Sequence, residues 1–174
     1  MIIGIDQSHN IPMDGIIWYE FEKEFEFDFT KIESSNLKIL KIEKQNFESF
    51  SEQIKNSIDK FNSEIYWDKM WDLEIAQKRF LNNNTLFLLL KFNSVIGHVW
   101  YSEGYLYNAF VSKERETGES KWFIEHTMLD RFNSGFVKLS LYTEFFNTRA
   151  INFWRKLGFE EKKSDYISVL YPSK

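Results

Sequence analysis

Two stretches hold residues whose types and spacing could do chemistry. In the first, Phe110-Val111-Ser112-Lys113-Glu114-Arg115-Glu116-Thr117-Gly118-Glu119-Ser120, the pattern Arg-x-x-Gly-x-Ser lies between an apolar run and an amphipathic one. A strand-to-helix junction of this kind offers a row of backbone N–H groups, the positive end of a helix dipole and one guanidinium. Those are the components of a diphosphate cradle. Gly118 lets phosphates approach the backbone where a side chain would obstruct them. Alone the motif is weak, because a glycine in a polar loop is usually only a turn. The second stretch is Leu139-Ser-Leu-Tyr-Thr-Glu144, then Asn147, Ala150 and Ile151, then Phe153-Trp154-Arg155-Lys156-Leu157-Gly158-Phe159. There a strand ends, an Asn follows, and a short helix closes on Lys-Leu-Gly-Phe.

The periodicity marks out the elements that must position these residues. Leu37, Ile39, Leu40 and Ile42 read as a strand, and Asn46 as the N-cap of a helix carrying Phe47, Phe50, Ile54, Ile58 and Phe61. A second helix is expected from about Tyr66 to Leu81, with Trp67 and Trp71 on one face, favoured as core. Three apolar runs, 85–92, 95–101 and 105–111, separated by short turns, predict an antiparallel meander. A helix follows over about 118–133 with Gly135 as its stop, then a strand over 136–143, a helix over 149–157 and a last strand over 166–171.

Residues 1–36 differ in character. Tyr19, Phe21, Phe25, Phe27 and Phe29 alternate with Glu20, Glu22, Glu24, Glu26 and Asp28, a period of two with one aromatic and one anionic face. An aromatic strand face must be covered, so this segment is expected to pack on the body of the domain or on a second copy of the chain.

At 174 residues the chain is the size of one ordinary domain, and with two prolines, Pro12 and Pro172, it has no Pro-rich linker to divide it. Having no cysteine, it has no disulfides, no Cys-ligated metal and no thiol nucleophile. The net charge of −4 argues against nucleic acid as the main partner. The opening MIIGIDQSHN lacks the basic region of a signal peptide, and Leu86–Leu90 falls far short of the ~20 apolar residues that span a bilayer. A cytoplasmic protein with no membrane partner is expected. His9, His98 and His126 lack metal-ligand spacing, so no metal is expected, and His98 reads as a sheet residue rather than a base.

Taken together, the two chemical stretches resemble the GNAT superfamily of acyl-CoA-dependent N-acyltransferases over about residues 37–171. The strand, Asn147, Ala150, the aromatic pair and Lys-Leu-Gly-Phe look like that family's C-terminal motif, and Arg115 to Ser120 looks like its pyrophosphate loop. The resemblance implies an α/β fold with a mixed, mostly antiparallel sheet that splays open between 105–111 and 136–143. Acetyl-CoA would enter the split as cosubstrate. Its pantetheine would pair with the backbone near Phe110 and Val111, and its pyrophosphate would sit on the amides of Arg115, Glu116, Thr117, Gly118, Glu119 and Ser120. Asn147 would hold the pantetheine arm. The activity implied is N-acetyl transfer to a primary amine, small molecule or peptide, by direct attack. Glu103 lies near where family members place a catalytic Glu, and Glu144 would stand at the mouth of the split to catch a cationic amine.

The chain departs from the family pattern at three positions. Trp154 stands where the family has a Tyr that protonates the leaving thiolate, and an indole N–H has no useful acidity. Glu119 replaces an aliphatic residue, leaving a carboxylate that either points to solvent or repels the phosphates. Ser120 replaces Gly or Ala. These departures keep a second reading open, a catalytically lapsed acyl-CoA-binding or protein-interaction module of the same fold.

Overall fold

The computed structural model describes residues 2–3, 18–24, 36–64, 73–80, 84–144 and 147–162. Its framework is a meander of β4 (Asn84–Lys91), β5 (Ser94–Ser102) and β6 (Tyr105–Val111), flanked by β3 (Leu37–Ile42) antiparallel to β4. Phe92 and Asn93, with φ of 49° and 65°, form the tight β4–β5 connection, where two left-handed residues match the twist of the strands. Leu86 to Leu89 and Ile96 to Tyr101 are buried without interruption, because helices cover both faces of the sheet. This explains why these runs read as continuous apolar stretches rather than as alternation.

β7 (Lys138–Glu144) runs parallel to β6 but pairs with it only at Tyr105↔Ser140 and Leu106↔Leu141. On its other side β7 pairs along its length with antiparallel β2 (Trp18–Glu24), which in turn pairs with β8 (Glu160–Lys162). The order is β3-β4-β5-β6-β7-β2-β8, and β1 (Ile2–Ile3) lies on β6. The acidic, aromatic N-terminal strand is thus an interior member of the chain's own sheet over 18–24. Phe25, Phe27 and Phe29 lie outside the described residues.

On one face α1 (Ser51–Glu64) packs Ile54, Ile58 and Phe61 against Leu86, Leu88, Trp100 and Phe110. On the other, α3 (Glu119–Asn133) and α4 (Thr148–Lys156) pack Phe123, Ile124, Met128, Ile151 and Trp154 against Phe87, Leu89, Val99, Tyr101 and Leu106. Each large apolar side chain so buried contributes about 1.5–3 kcal/mol. α2 (Leu73–Phe80) completes the set. No helix among the described residues is long and apolar enough to cross a membrane.

The first helix begins later than expected. Asn46 ends a short 3-10 turn and its Oδ1 accepts the Glu43 N–H at 2.7 Å, so it reaches backwards instead of capping the helix, which starts at Ser51. Trp67, Trp71 and the strand expected over 166–171 lie outside the described residues.

Candidate active site

The loop from β6 to α3 is fastened from three directions. Glu64, the last residue of α1, accepts from the Ser112 hydroxyl and from the Lys113 N–H at 2.8 Å, while Lys60 pairs with Glu114 at 2.6 Å. Arg115 folds back on its own loop, donating from Nη1 to the Val111 and Ser112 carbonyls at 3.1 and 2.7 Å. From below, Lys91 at the end of β4 reaches Glu116 at 2.7 Å and Glu119 at 2.9 Å. The Glu116 carboxylate first, then that of Glu119, holds the Lys91 ammonium above its ordinary pKa.

Gly118 adopts φ 94° at the N-cap of α3, a left-handed conformation that a Cβ would strain. The turn it makes leaves the N–H groups of Thr117, Gly118, Ser120 and Lys121 without an acceptor among the described residues. Four open donors at the positive end of a fifteen-residue helix are suited to an anion. The Glu116 N–H is not among them, because the Glu119 carboxylate takes it at 2.7 Å. Glu119 therefore fits neither alternative raised by the sequence: its side chain is 4% exposed, turned under the loop and paired with Lys91.

The split lies beside this loop. A bulge makes Tyr107 the extra residue on β6, since Trp100 pairs with Asn108 and Tyr101 with Leu106. β6 leaves β7 immediately after Leu106, and Ile2 and Ile3 pair with Ala109 and Asn108 on the edge so exposed. Phe110 and Val111 follow at the open end. The Phe110 side chain joins the α1 core and the Val111 side chain the α3 core.

Three of the residues singled out in the sequence take exposed or structural positions outside the loop. Glu103 is exposed in the β5–β6 turn with φ 52°, at the closed end of the β6–β7 pair, where Ser140 donates to the Gly104 carbonyl. It enters β6 two positions before the paired segment that separates it from the split, so it does not join the loop residues. Asn147 caps α4, its Oδ1 accepting the Ala150 N–H at 3.1 Å, so this oxygen serves the helix. Trp154 is buried in the α3–α4 core between Phe153 and Phe159, and among the described residues its Nε1 has no hydrogen-bond partner. By register Glu144, the last residue of β7, stands at the open end.

Sequence reasoning missed the supports of the loop. Lys91 and Glu64 carry no local signal, since each is a lone charge at the end of an apolar or amphipathic element. It also missed a buried polar cluster behind β6. His98 Nδ1 lies 2.6 Å from Ser57 Oγ, and the ring packs against Phe61 and Phe110. Burial pushes the His98 pKa down to about 4, with nearby Asn108 opposing the shift, and among the described residues neither His98 Nε2 nor Asn108 Oδ1 has a hydrogen-bond partner of normal geometry.

No protein-family model matches the sequence, and neither does any curated protein. Solved structures do match. The chain is similar to an aminoglycoside acetyltransferase, meta-AAC0020 from an uncultured soil metagenomic sample, solved with trehalose, at 23% identity over 79% of this chain and 99% of that one, TM-score 0.59. It is similar to the aminoglycoside N-acetyltransferase AAC(6')-Iy, solved with a CoA-based bisubstrate analogue, at 20% identity over 80% and 99%, TM-score 0.53. A functionally unknown protein from Staphylococcus epidermidis aligns at 10% identity over 84% of this chain and 58% of its own, TM-score 0.59. The fold is that of the GNAT acetyltransferases, an α/β sheet, mostly antiparallel, between layers of helices.

Proposed function

We propose that the protein is an N-acetyltransferase that moves an acetyl group from acetyl-CoA to a primary amine. The observation that carries this reading is the set of four open N–H groups of Thr117, Gly118, Ser120 and Lys121, formed beside the split in the sheet. Those donors take the diphosphate oxygens, and Gly118 lets them come close. The edge of β6 at Phe110 and Val111 takes the pantetheine arm by strand-like pairing. Bound so, the thioester lies at the open end of the split, beyond the Ile2–Ile3 pairing on β6, and meets an amine arriving there, where Glu144 favours a cation. The arriving ammonium first loses one proton to solvent, the neutral nitrogen attacks the thioester carbon, the C–S bond breaks and the thiolate leaves, and the nitrogen gives its second proton to solvent as the amide forms. A thiol of ordinary pKa near 8.5 leaves without a dedicated acid, which suits a site where Trp154 replaces the usual Tyr. Release of free thiol from acetyl-CoA, measured against a panel of amines that includes aminoglycosides, polyamines and peptides, tests the reading. Amine-dependent release supports it, and silence from a protein that binds acetyl-CoA contradicts it.

A second reading rests on two observations. Trp154 is sealed in the core and Glu103 stands at the closed end of the β6–β7 pair, so neither acts on a thioester in the split. On that reading the protein is an acyl-CoA-binding module without turnover, and the same assay separates the two.

A further inference from the structure

The buried ion pair under the loop needs an explanation that stability does not give. A buried pair rarely gains over two apolar residues of the same volume, whereas removing one partner strands a charge at considerable cost. In the Lys91–Glu119 pair the carboxylate is buried, its side chain 4% exposed, while the lysine is partly covered at 13%. Glu119 is also the first residue of α3, so its carboxylate is tethered within reach of the N–H groups opened by Gly118. A carboxylate on that tether is itself a ligand for those donors. It is held away from them by two contacts, the Lys91 ammonium at 2.9 Å and the Glu116 N–H at 2.7 Å.

We propose that Lys91 is a positioning residue for the diphosphate site: by drawing Glu119 under the loop it keeps this carboxylate from capping the N–H groups of Ser120 and Lys121 and so keeps the site open to an external anion. The inference rests on the cofactor reading above. It accounts for how the chain carries an acid where the resemblance leads one to expect an aliphatic residue. The acid is tolerated because a lysine from the neighbouring hairpin neutralises and redirects it.

Calorimetric titration with coenzyme A on the full chain tests this. Lys91→Met weakens binding by about tenfold or more, the scale of one charge-assisted hydrogen bond. Lys91→Arg binds within about threefold of wild type, because a guanidinium reaches both carboxylates. Removing the competing acid in Lys91→Met/Glu119→Leu restores the affinity. In ligand-free Lys91→Met, the Ser120 and Lys121 amide proton resonances move downfield as the carboxylate caps them, a signature that loss of packing alone does not produce. Equal binding by Lys91→Met and wild type overturns the inference, and so does weak binding that persists in the double variant. If Lys91→Met fails to fold, Glu119→Leu alone decides the matter: it binds at least as tightly as wild type, and weaker binding overturns the proposal. A wild type that does not bind coenzyme A overturns the cofactor reading instead, which keeps the two failures distinct.

Discussion

A methyl group added at Gly97 would stand 2.6 Å from the Phe110 carbonyl oxygen, closer than real Cβ atoms come to backbone. β5 and β6 therefore approach closely at the point where β6 has left β7, with Gly97 opposite Val111 in register and set against the Phe110 carbonyl. Gly97→Ala is expected to cost about 1–3 kcal/mol by overpacking against backbone that has little room to shift. Urea denaturation measures the cost. A variant as stable as wild type would show that the approach is not tight.

His98 makes a second prediction. Burial holds its pKa at about 4, below the ordinary 6.5, so the folded protein resists protonating it. Its contribution to stability is complete above pH 6.5 and is lost as pH falls from there toward 4, by roughly 3 kcal/mol in all. Melting temperature followed from pH 7 to pH 4 should therefore fall less steeply in His98→Gln than in wild type. Parallel profiles would contradict the assignment.

Asn147 separates two roles. Asn147→Ala removes the α4 cap and should cost about 1 kcal/mol, while Asn147→Asp keeps a capping oxygen and should unfold close to wild type. Because Asp lacks the amide donor, weaker coenzyme A binding by a stable Asn147→Asp assigns the Asn147 Nδ2 to the pantetheine arm. Unchanged binding leaves the residue a cap alone.

The family resemblance puts Glu103 near a catalytic position, whereas the structure has it exposed at the closed end of the β6–β7 pair. Glu103→Gln is expected to keep thiol release within about twofold of wild type, in line with surface substitutions generally. A loss of a hundredfold would restore it as a base.

These cases show what was legible and why. The meander, α3 and α4 follow from hydrophobic periodicity and from turn residues, which are local signals, and they emerge close to their expected bounds. The start of α1 does not, because the Asn46 side chain serves Glu43 and nothing local distinguishes that bond from a cap. The phosphate-type loop is legible as Arg115, Gly118 and Ser120. Its supports are not, since Lys91 meets Glu119, and Glu64 meets Ser112, only through the tertiary fold. The fate of Glu119 turns on that same contact: alone in the sequence it is a repelling charge, and beside Lys91 it is a buried, neutralised one.

The central claim is that the loop around Gly118 binds the diphosphate of an acyl-CoA. The most direct test is a thermal-shift titration with acetyl-CoA and coenzyme A on wild type and Gly118→Arg. Ligand at one hundred times its dissociation constant should stabilise the wild type by about 2.7 kcal/mol. The variant, whose side chain fills the cradle, should melt at one temperature with and without ligand. No shift in a folded wild type, or an equal shift in Gly118→Arg, would contradict the claim.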